Sequence, residues 1–200
     1  MKALLSPASP FARKVRVVIR EAGLMPQVEE VLLKTSPLDS HPQLLAANPT
    51  GKLPVLLRED GPAIADSRVI TRYLDHVSEA GLYPQGRLWE VLTLEALADG
   101  IMEAAVAMAY EQRFREEPMQ SRDWLEAQWG KAARAIAALD DRWMSHLEGR
   151  LTAAQIAVAC ALAYVDFRHG DRDWRAQSPA LAAWLAAFQE RESMKQTAPE

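Results

Sequence analysis

The first 80 residues combine short apolar runs with amphipathic helical patterns. Apolar runs at 2–5, 28–33, 55–58 and 63–65 predict strands, and the last two flank a tight-turn sequence, Glu59-Asp60-Gly61. Apolar residues with helical spacing predict helices over about 10–22 and from Asp66 or Ser67 to about 78. The basic residues of the first helix are predicted to lie on its surface: Arg13, Lys14, Arg16 and Arg20. The order β-α-β-(α)-β-β-α predicts a small α/β domain with a mixed four-stranded sheet.

The pattern becomes entirely helical after a short linker. The segment 81–86, Gly-Leu-Tyr-Pro-Gln-Gly, separates a predicted domain at 1–80 from a predicted all-helical domain at 87–200. Long helices are predicted at about 87–116 and 121–146, because Pro118 interrupts the pattern between them. A third helix begins near Thr152, and a fourth has Pro179 in its first turn. We expect the tail after Met194 to be frayed.

Composition and charge indicate an ordinary globular protein. Hydrophobic residues make up 49% and charged residues 25% of the 200 residues. The formal net charge of −4 argues against nucleic acid or an anionic membrane surface as a partner. The most apolar stretch, 156–165, is far shorter than the ~20 residues that cross a bilayer. We therefore expect neither export nor membrane insertion.

The cysteine and histidine content excludes several kinds of site. Cys160 is the single cysteine, so neither an internal disulfide nor a Cys-x-x-Cys pair can form. It lies in an apolar helical run, where burial and a reduced, cytoplasmic compartment are expected. The four histidines (His41, His76, His146 and His169) show no metal-binding spacing, and no Gly-x-Ser-x-Gly motif marks a hydrolase. No metal site is expected.

Two segments a dozen residues apart carry the clearest chemical signal. The first, Asn48-Pro-Thr-Gly-Lys-Leu-Pro-Val-Leu56, places Pro54 at the mouth of an apolar strand, which indicates a strand at the edge of its sheet. The second, Ala65-Asp-Ser-Arg-Val-Ile70, places Asp66 and Ser67 at the start of a helix. Free N–H groups and the helix dipole favour an anion there. This layout suits a small peptide held by its backbone and its carboxylate.

The loop between the first strand and the first helix contributes a third feature. It reads Ser6-Pro-Ala-Ser-Pro-Phe-Ala-Arg-Lys-Val15. A hydroxyl at Ser9 would lie over free backbone N–H groups at a helix start, where a nearby thiolate is stabilised. A simple N-cap is the alternative role, and residue type alone favours it.

With these three motifs, the chain resembles the glutathione transferase superfamily over nearly its whole length. The match is to serine-type bacterial relatives that are omega-like or beta-like. The resemblance implies a thioredoxin-like N-terminal domain, an all-helical C-terminal domain and glutathione as co-substrate. A serine at position 9, where some relatives have cysteine, favours conjugation or isomerisation over thiol–disulfide exchange, because serine forms no mixed disulfide.

The resemblance also implies a role for each residue of the motifs. Ser9 is the catalytic residue that faces the glutathione sulfur. Pro54 matches a proline that is cis in relatives, and Val55 after it offers its backbone to the cysteinyl residue, as in strand addition at an exposed edge. Ser67 holds the γ-glutamyl carboxylate and Asp66 faces the γ-glutamyl ammonium group.

Further residues have less specific signals. Lys52, or alternatively Lys34, is a candidate for the glycyl carboxylate. Thr152 and Gln155 have capping-box spacing. Relatives usually have aspartate where this chain has Gln155, and we expect this departure to affect folding stability rather than the glutathione site.

A small-molecule electrophile is the implied second substrate, held between the domains. Candidates to line its pocket come from the long helix, although methionine and tyrosine on a helix more often belong to the core: Met102, Met108, Tyr110 and Arg113.

The sequence thus predicts a cytoplasmic, homodimeric glutathione transferase; the dimer is implied by the family. The alternative is a non-catalytic relative that uses the same fold for binding or regulation. Ser9, Asp66 and Ser67 favour the enzyme, because an interaction module has no need of a glutathione site.

Overall fold

One mixed sheet organises the first part of the chain in the computed structural model, which describes residues 1–199. Strands β1 (Lys2–Leu5), β2 (Glu29–Leu32), β3 (Val55–Leu57) and β4 (Ile64–Ala65) lie in the order β2-β1-β3-β4. β1 is parallel to β2, and β3 is antiparallel to both β1 and β4. The predicted mixed four-stranded sheet is confirmed, with β2, β3 and β4 slightly shorter than expected.

Three helices accompany the sheet: α1 (Pro10–Glu21), α2 (Pro42–Ala47) and α3 (Ser67–Ser78). The apolar stripe of α1 is fully buried at Val15 and Val18. Gly23 follows α1 with φ of +68°, a conformation that glycine adopts at little cost and that ends the helix. Leu4, Leu44 and Val55 form part of the buried core of this unit.

The position of Pro54 corrects the expectation of an edge strand. β3 has β1 on one side and β4 on the other, so it is an inner strand. Pro54 lies one residue before the first paired residue, Val55, which is opposite Leu4 and Ala65. The proline therefore removes no N–H group from the ladder, and an inner strand tolerates it there.

Residues 89–190 form a second, helical unit. Its helices are, in chain order, α4 (Leu88–Phe114), α5 (Arg122–Arg142), α6 (Met144–Leu147), α7 (Ala153–His169), α8 (Trp174–Gln177) and α9 (Pro179–Gln189). The predicted all-helical domain is confirmed. The single helix predicted to reach residue 146 is wrong, because Trp143, with φ of −118° and ψ of 1°, separates α5 from α6.

The core of the second unit surrounds α7. Residues 153–165 of this helix are all buried, and a helix that is apolar all round is typical of such a position. Cys160 is fully buried, and Met102 and Met108 on α4 are also core residues. The hypothesis that Met102 and Met108 line a pocket for the second substrate is therefore not supported. Within residues 1–199, no helix has the length and apolar character to span a membrane.

The capping box at the start of α7 is present. Gln155 Oε1 accepts a hydrogen bond from the Thr152 N–H at 2.9 Å, and the Thr152 hydroxyl also donates to it. The Gln155 amide nitrogen then donates to the carbonyl of Arg150 at 2.8 Å. Gln155 thus closes the box and adds a donor that an aspartate lacks, so the departure from the family pattern brings extra contacts.

The C-terminal segment belongs to the first unit and is ordered by it, which corrects the expectation of a frayed tail. Helix α10 (Glu192–Lys195) is followed by Thr197, which is 0% exposed. Arg13 on α1 donates to the Met194 carbonyl at 3.0 Å and to Thr197 Oγ1 at 3.4 Å. Arg191 pairs with Glu21 at 2.7 Å. These contacts stabilise the segment against the outer surface of α1.

A further correction concerns two basic residues of α1. Arg13 and Lys14 are buried rather than on the surface, and in the case of Arg13 the C-terminal segment supplies contacts. The first compact unit extends to Leu88 and includes the segment that starts at Arg191.

A buried histidine joins the last residue of α7 to the C-terminal half of α4. His169 is 3% exposed, and its Nε2 lies 2.8 Å from the Ala105 carbonyl oxygen, to which it donates. Burial lowers the pKa of His169, although the hydrogen bond to Ala105 and the charge of Asp171 act in the opposite direction. The folded state therefore favours the neutral imidazole.

This lowered pKa predicts a pH dependence of stability. Between the folded pKa and the unfolded value of ~6.5, the unfolded chain binds more protons, so the free energy of unfolding falls as pH falls through that window. We expect urea unfolding at pH 7.5, 6.5 and 5.5 to show a steeper loss for wild type than for His169→Gln. An exposed control, His76→Gln, should follow wild type. The same change of unfolding free energy with pH in all three proteins would contradict the prediction.

Candidate functional site

The register of the strands brings the candidate residues of the first unit to one end of the strands. We call this end of the sheet the sheet edge. β1 and β4 end there and β3 begins there, because Val55 is opposite both Leu4 and Ala65. β2 is parallel to β1 and ends at the same edge with Leu32. The candidates follow or precede these strand ends: Ser9 after β1, Lys34 after β2, Lys52, Pro54 and Val55 at the start of β3, and Asp66 and Ser67 after β4.

Ser9 is the N-cap of α1. Its Oγ accepts a hydrogen bond from the Ala12 N–H at 3.2 Å, and its own N–H donates to the Ser6 carbonyl at 3.1 Å. Ser9 therefore acts as an N-cap, which is the alternative role predicted from the sequence. It leaves the hydroxyl proton of Ser9 available, because a capping serine uses its oxygen as an acceptor. The positive end of the α1 dipole lies at the same half-buried position.

The segment before β3 is held by Asn48. The Asn48 side chain donates to the Lys52 carbonyl at 2.9 Å and accepts from the N–H and hydroxyl of Thr50. The Leu53–Pro54 peptide bond is cis. Val55 is 0% exposed with its side chain in the core, so this side chain is not available to a ligand.

Asp66 caps α3 in an unusual backbone conformation. Its φ of 75° and ψ of 130° lie outside the regions that side-chain-bearing residues normally adopt, at a cost of about 1–3 kcal/mol. Partial burial raises the pKa of Asp66, but hydrogen bonds and charge from Arg68, together with the charge of Lys14, outweigh it and lower the pKa overall. Asp66 is thus a carboxylate at neutral pH, held at the exposed start of the helix.

Ser67 is the first residue of α3 and is 4% exposed. Its carbonyl accepts a hydrogen bond from the Thr71 hydroxyl at 2.9 Å, and that hydroxyl also contacts Tyr83 Oη at 2.7 Å. The Ser67 hydroxyl itself makes no hydrogen bond within residues 1–199. A nearly buried hydroxyl at a helix start, where only the Arg68 N–H is capped by the Asp66 side chain, is suited to an incoming anion.

The two candidate lysines are exposed and differ in their setting. Lys34 lies two residues after the end of β2, and Lys52 lies three residues before the start of β3. Neither ammonium group forms an ion pair within the described part of the chain. Both are therefore able to meet a carboxylate, and their position at the same edge does not decide between them.

Sequence reasoning missed Lys14 and Arg68. Arg68 donates from its backbone N–H to Asp66 at 2.9 Å and pairs with the same carboxylate through its side chain at 3.3 Å. Lys14 is fully buried, and its charge favours the ionised form of Asp66. A signal was available: Lys14 is three residues after Phe11 and four before Val18, so it lies within the apolar stripe of α1.

The assembled groups suit a small zwitterionic peptide. Hydroxyls stand at the starts of two helices, a carboxylate lies beside one of them, and basic side chains stand at the same sheet edge. No group of three His, Cys, Asp or Glu side chains able to hold a metal ion occurs within residues 1–199. The hydroxyls, the carboxylate and the basic side chains are able to recognise an anion and an ammonium group by hydrogen bonds and charge.

The class of protein is defined by a thioredoxin-like sheet, a helical unit after it, and these hydroxyl, carboxylate and basic side chains at the sheet edge. Comparison with known proteins agrees with this class. Residues 8–77 match the family model for the glutathione S-transferase N-terminal domain, and residues 122–187 match the model for the C-terminal domain. An Escherichia coli K12 protein described as the uncharacterized GST-like protein YibF is 32% identical, over 100% of this chain and 98% of its own.

Solved structures of similar chains extend the agreement. A glutathione transferase family member from Pseudomonas fluorescens Pf-5, with bound glutathione, is 40% identical with a TM-score of 0.97 over 100% of this chain and 98% of that one. A structure from the same organism with bound S-(propanoic acid)-glutathione is 39% identical with a TM-score of 0.92, over 100% and 99% of the two chains. The chain belongs to the glutathione S-transferase superfamily.

Proposed function

We propose that this protein is a glutathione transferase that binds glutathione at the sheet edge and adds its sulfur to a small electrophile. The observation that carries the proposal is the pair Asp66–Ser67 at the start of α3. The Asp66 carboxylate, on a strained backbone, and the nearly buried, unpaired Ser67 hydroxyl lie together there, at the same edge as Ser9. The similar structures with bound glutathione, at 40% identity, and with bound S-(propanoic acid)-glutathione, at 39% identity, support a ligand of this kind.

Each end of glutathione has a partner in this arrangement. The Ser67 hydroxyl and the N–H groups of the first turn of α3 bind the γ-glutamyl carboxylate, and Asp66 binds the ammonium group beside it. The main chain of Val55 pairs with the cysteinyl residue. Lys52, or Lys34, meets the glycyl carboxylate as a charge partner.

Ser9 is the proposed catalytic residue. Its O–H donates to the glutathione sulfur, while its oxygen accepts from the Ala12 N–H, so the cap orients the hydroxyl. A free thiol with pKa near ~8.5 is only a few per cent thiolate at neutral pH. Hydrogen bonding to the charged form and the helix dipole lower that pKa, and the serine hydroxyl remains chemically unchanged.

The thiolate then forms a carbon–sulfur bond to the electrophile. It either displaces a leaving group such as halide, or adds to an activated double bond whose other carbon takes a proton from water. The relative with bound S-(propanoic acid)-glutathione supports a substituent that carries a carboxylate. Dehalogenation and isomerisation use the same thiolate and remain within the proposal.

Calorimetric titration with glutathione tests the proposal directly. In two buffers of different ionisation heat at pH 7, we expect saturable binding with release of about a quarter to three-quarters of a proton, as follows if the thiol pKa falls by about one to two units. Ser9→Ala should bind glutathione with similar affinity and release close to no proton, since it lacks the donor to the thiolate.

The alternative outcomes are distinct. Binding by the wild type without proton release would exclude Ser9 as a thiolate stabiliser. No binding at millimolar glutathione would overturn the transferase and leave the non-catalytic, partner-binding function that the fold also supports.

The proposed enzyme is a cytoplasmic homodimer. Val69 and Val77 on α3 are 52% and 42% exposed, and their spacing places them on one face with Tyr73 between them. A second copy of the chain would cover this face. Light scattering should give twice the chain mass of 22.3 kDa, and Val69→Glu/Val77→Glu should give the single mass. The control Leu38→Glu changes a 78% exposed residue outside α3 and should keep the mass of two chains. A monomeric wild type would contradict the proposal.

A further inference from the structure

The final turns of α4 and α7 carry matching sets of aromatic and arginine side chains. On α7 a tyrosine is followed by a phenylalanine three residues later and an arginine four residues later. On α4 the arginine comes at three and the phenylalanine at four, so each set lies on one helix face. We name these residues the tyrosine–arginine cluster: Tyr110, Arg113 and Phe114 on α4, and Tyr164, Phe167 and Arg168 on α7.

The two sets lie next to each other in the second unit. The hydrogen bond from His169 to Ala105, at 2.8 Å, joins the last residue of α7 to a position on α4 five residues before Tyr110. The charges of Arg113 and Arg168 both act on the Tyr164 hydroxyl, and Tyr110 acts on it as well. Side chains from both helices therefore converge on one region.

The arginines of the cluster have aromatic partners and lack acidic ones. The Arg168 guanidinium lies 4.1 Å from the Phe167 ring centroid, and that of Arg113 lies 5.5 Å from the Phe114 centroid. Within residues 1–199 neither arginine forms an ion pair. Neighbouring carboxylates are already engaged, since Glu111 pairs with Arg115 at 2.9 Å and Asp166 with Arg175 at 2.6 Å.

The tyrosines add hydrogen-bond donors. Tyr110 is 42% exposed, whereas Tyr164 is nearly buried. Burial raises the pKa of both phenols, and the nearby arginine charges only partly oppose this effect. Both hydroxyls are therefore protonated at neutral pH and able to donate. Two positive charges, two phenol donors and the exposed edge of Phe167 make a surface with an excess of donors.

We propose that the tyrosine–arginine cluster is a binding site for an aromatic carboxylate, formed within the second unit alone. The planar guanidinium fork matches a carboxylate, and phenols donate to the same oxygens. The faces and edges of the phenyl and phenol rings accommodate a planar ring.

The test compares two probes with the same nitrophenyl ring, 4-nitrobenzoate, which carries a charged carboxylate, and 4-nitrobenzamide, which carries an uncharged amide in its place. Calorimetric titration of the full chain at low ionic strength should give a dissociation constant for the carboxylate about tenfold or more below that for the amide. Arg113→Gln/Arg168→Gln should remove this preference, and both residues are exposed, so the fold should persist. The matched control, Arg134→Gln/Arg142→Gln, changes two exposed arginines of α5 and should retain it.

A second variant isolates the phenol. Tyr110→Phe keeps the ring and removes one donor, so we expect weaker carboxylate binding with unchanged amide binding. Equal affinity for both probes in the wild type, absence of binding, or a preference that survives in Arg113→Gln/Arg168→Gln would overturn the proposal. A separate glutathione titration of the same proteins distinguishes this failure from failure of the transferase function, because glutathione binding should be the same in every variant of the cluster.

Discussion

Ser67→Ala is expected to weaken glutathione binding by about 10- to 100-fold without unfolding the protein. The Ser67 hydroxyl is 4% exposed and has no other hydrogen-bond partner within residues 1–199, so the proposed γ-glutamyl carboxylate is its main role. Hydrogen bonds to charged groups contribute roughly 1.5–3 kcal/mol, and each 1.4 kcal/mol is a tenfold change in affinity. Calorimetric titration with glutathione at pH 7 measures the dissociation constant.

The matched control is Ser78→Ala, which removes a hydroxyl at the other end of the same helix. The Ser78 hydroxyl donates to the Leu74 carbonyl at 2.7 Å, so this change affects α3 without touching the sheet edge. We expect its glutathione affinity to equal that of the wild type. Equal affinities for Ser67→Ala and wild type would show that the carboxylate is held elsewhere.

Ser67→Ala and Ser9→Ala should also differ in kind. Loss of the Ser67 hydroxyl should raise the dissociation constant while saturated protein still releases its proton, whereas loss of the Ser9 hydroxyl should abolish proton release at similar affinity. The contrast follows because the two hydroxyls lie at the starts of different helices, α3 and α1, and are proposed to meet opposite ends of the same cysteinyl–γ-glutamyl unit. Identical behaviour of both variants would contradict the assignment of roles.

Gln155→Ala is expected to lower the free energy of unfolding of the second unit by about 2–4 kcal/mol. Gln155 is 2% exposed, so water does not readily replace its side chain. Its oxygen accepts from the Thr152 N–H and hydroxyl, and its amide donates to the carbonyls of Arg150, His146 and Gly149 at 2.8, 3.2 and 3.4 Å. Alanine removes the cap and leaves buried polar groups without partners.

Urea unfolding followed by tryptophan fluorescence measures this effect. All six tryptophans lie within residues 89–190, so the signal reports on the second unit. Gln155→Asp restores the family's usual residue and keeps an acceptor, but it lacks the amide donor and should also be less stable than wild type. The control Gln112→Ala changes an exposed side chain of α4. A urea midpoint for Gln155→Ala equal to that of wild type would show that these hydrogen bonds contribute little to stability.

Local chemistry in the sequence accounts for much of the fold. Hydrophobic periodicity identified the strands and long helices, because it depends on which face of an element is buried. Helix starts were equally accessible, since Ser9, Asp66 and Thr152 act on backbone groups within three residues of themselves. The resemblance to a family rested on these local motifs, and the family comparison confirmed it.

Other features depend on contacts that no local pattern records. Arg13 is buried because it meets Met194, 181 residues away, and the order of the C-terminal segment follows from the same contact. β3 is an inner strand because β4 pairs with it on the side away from β1. The break at Trp143 likewise interrupts a pattern that local spacing predicts to be continuous.

The sequence by itself therefore determined the two kinds of unit, the helix caps and the residue types of the candidate site. Only the tertiary structure decided that Ser9, Val55 and Ser67 lie at one sheet edge, that Lys14 is buried where its charge acts on Asp66, and that two sets of tyrosine and arginine converge. The physical reason is that caps and periodicity arise between neighbours in the chain, whereas burial, pKa shifts and ligand geometry arise between groups that strand pairing and helix packing bring together.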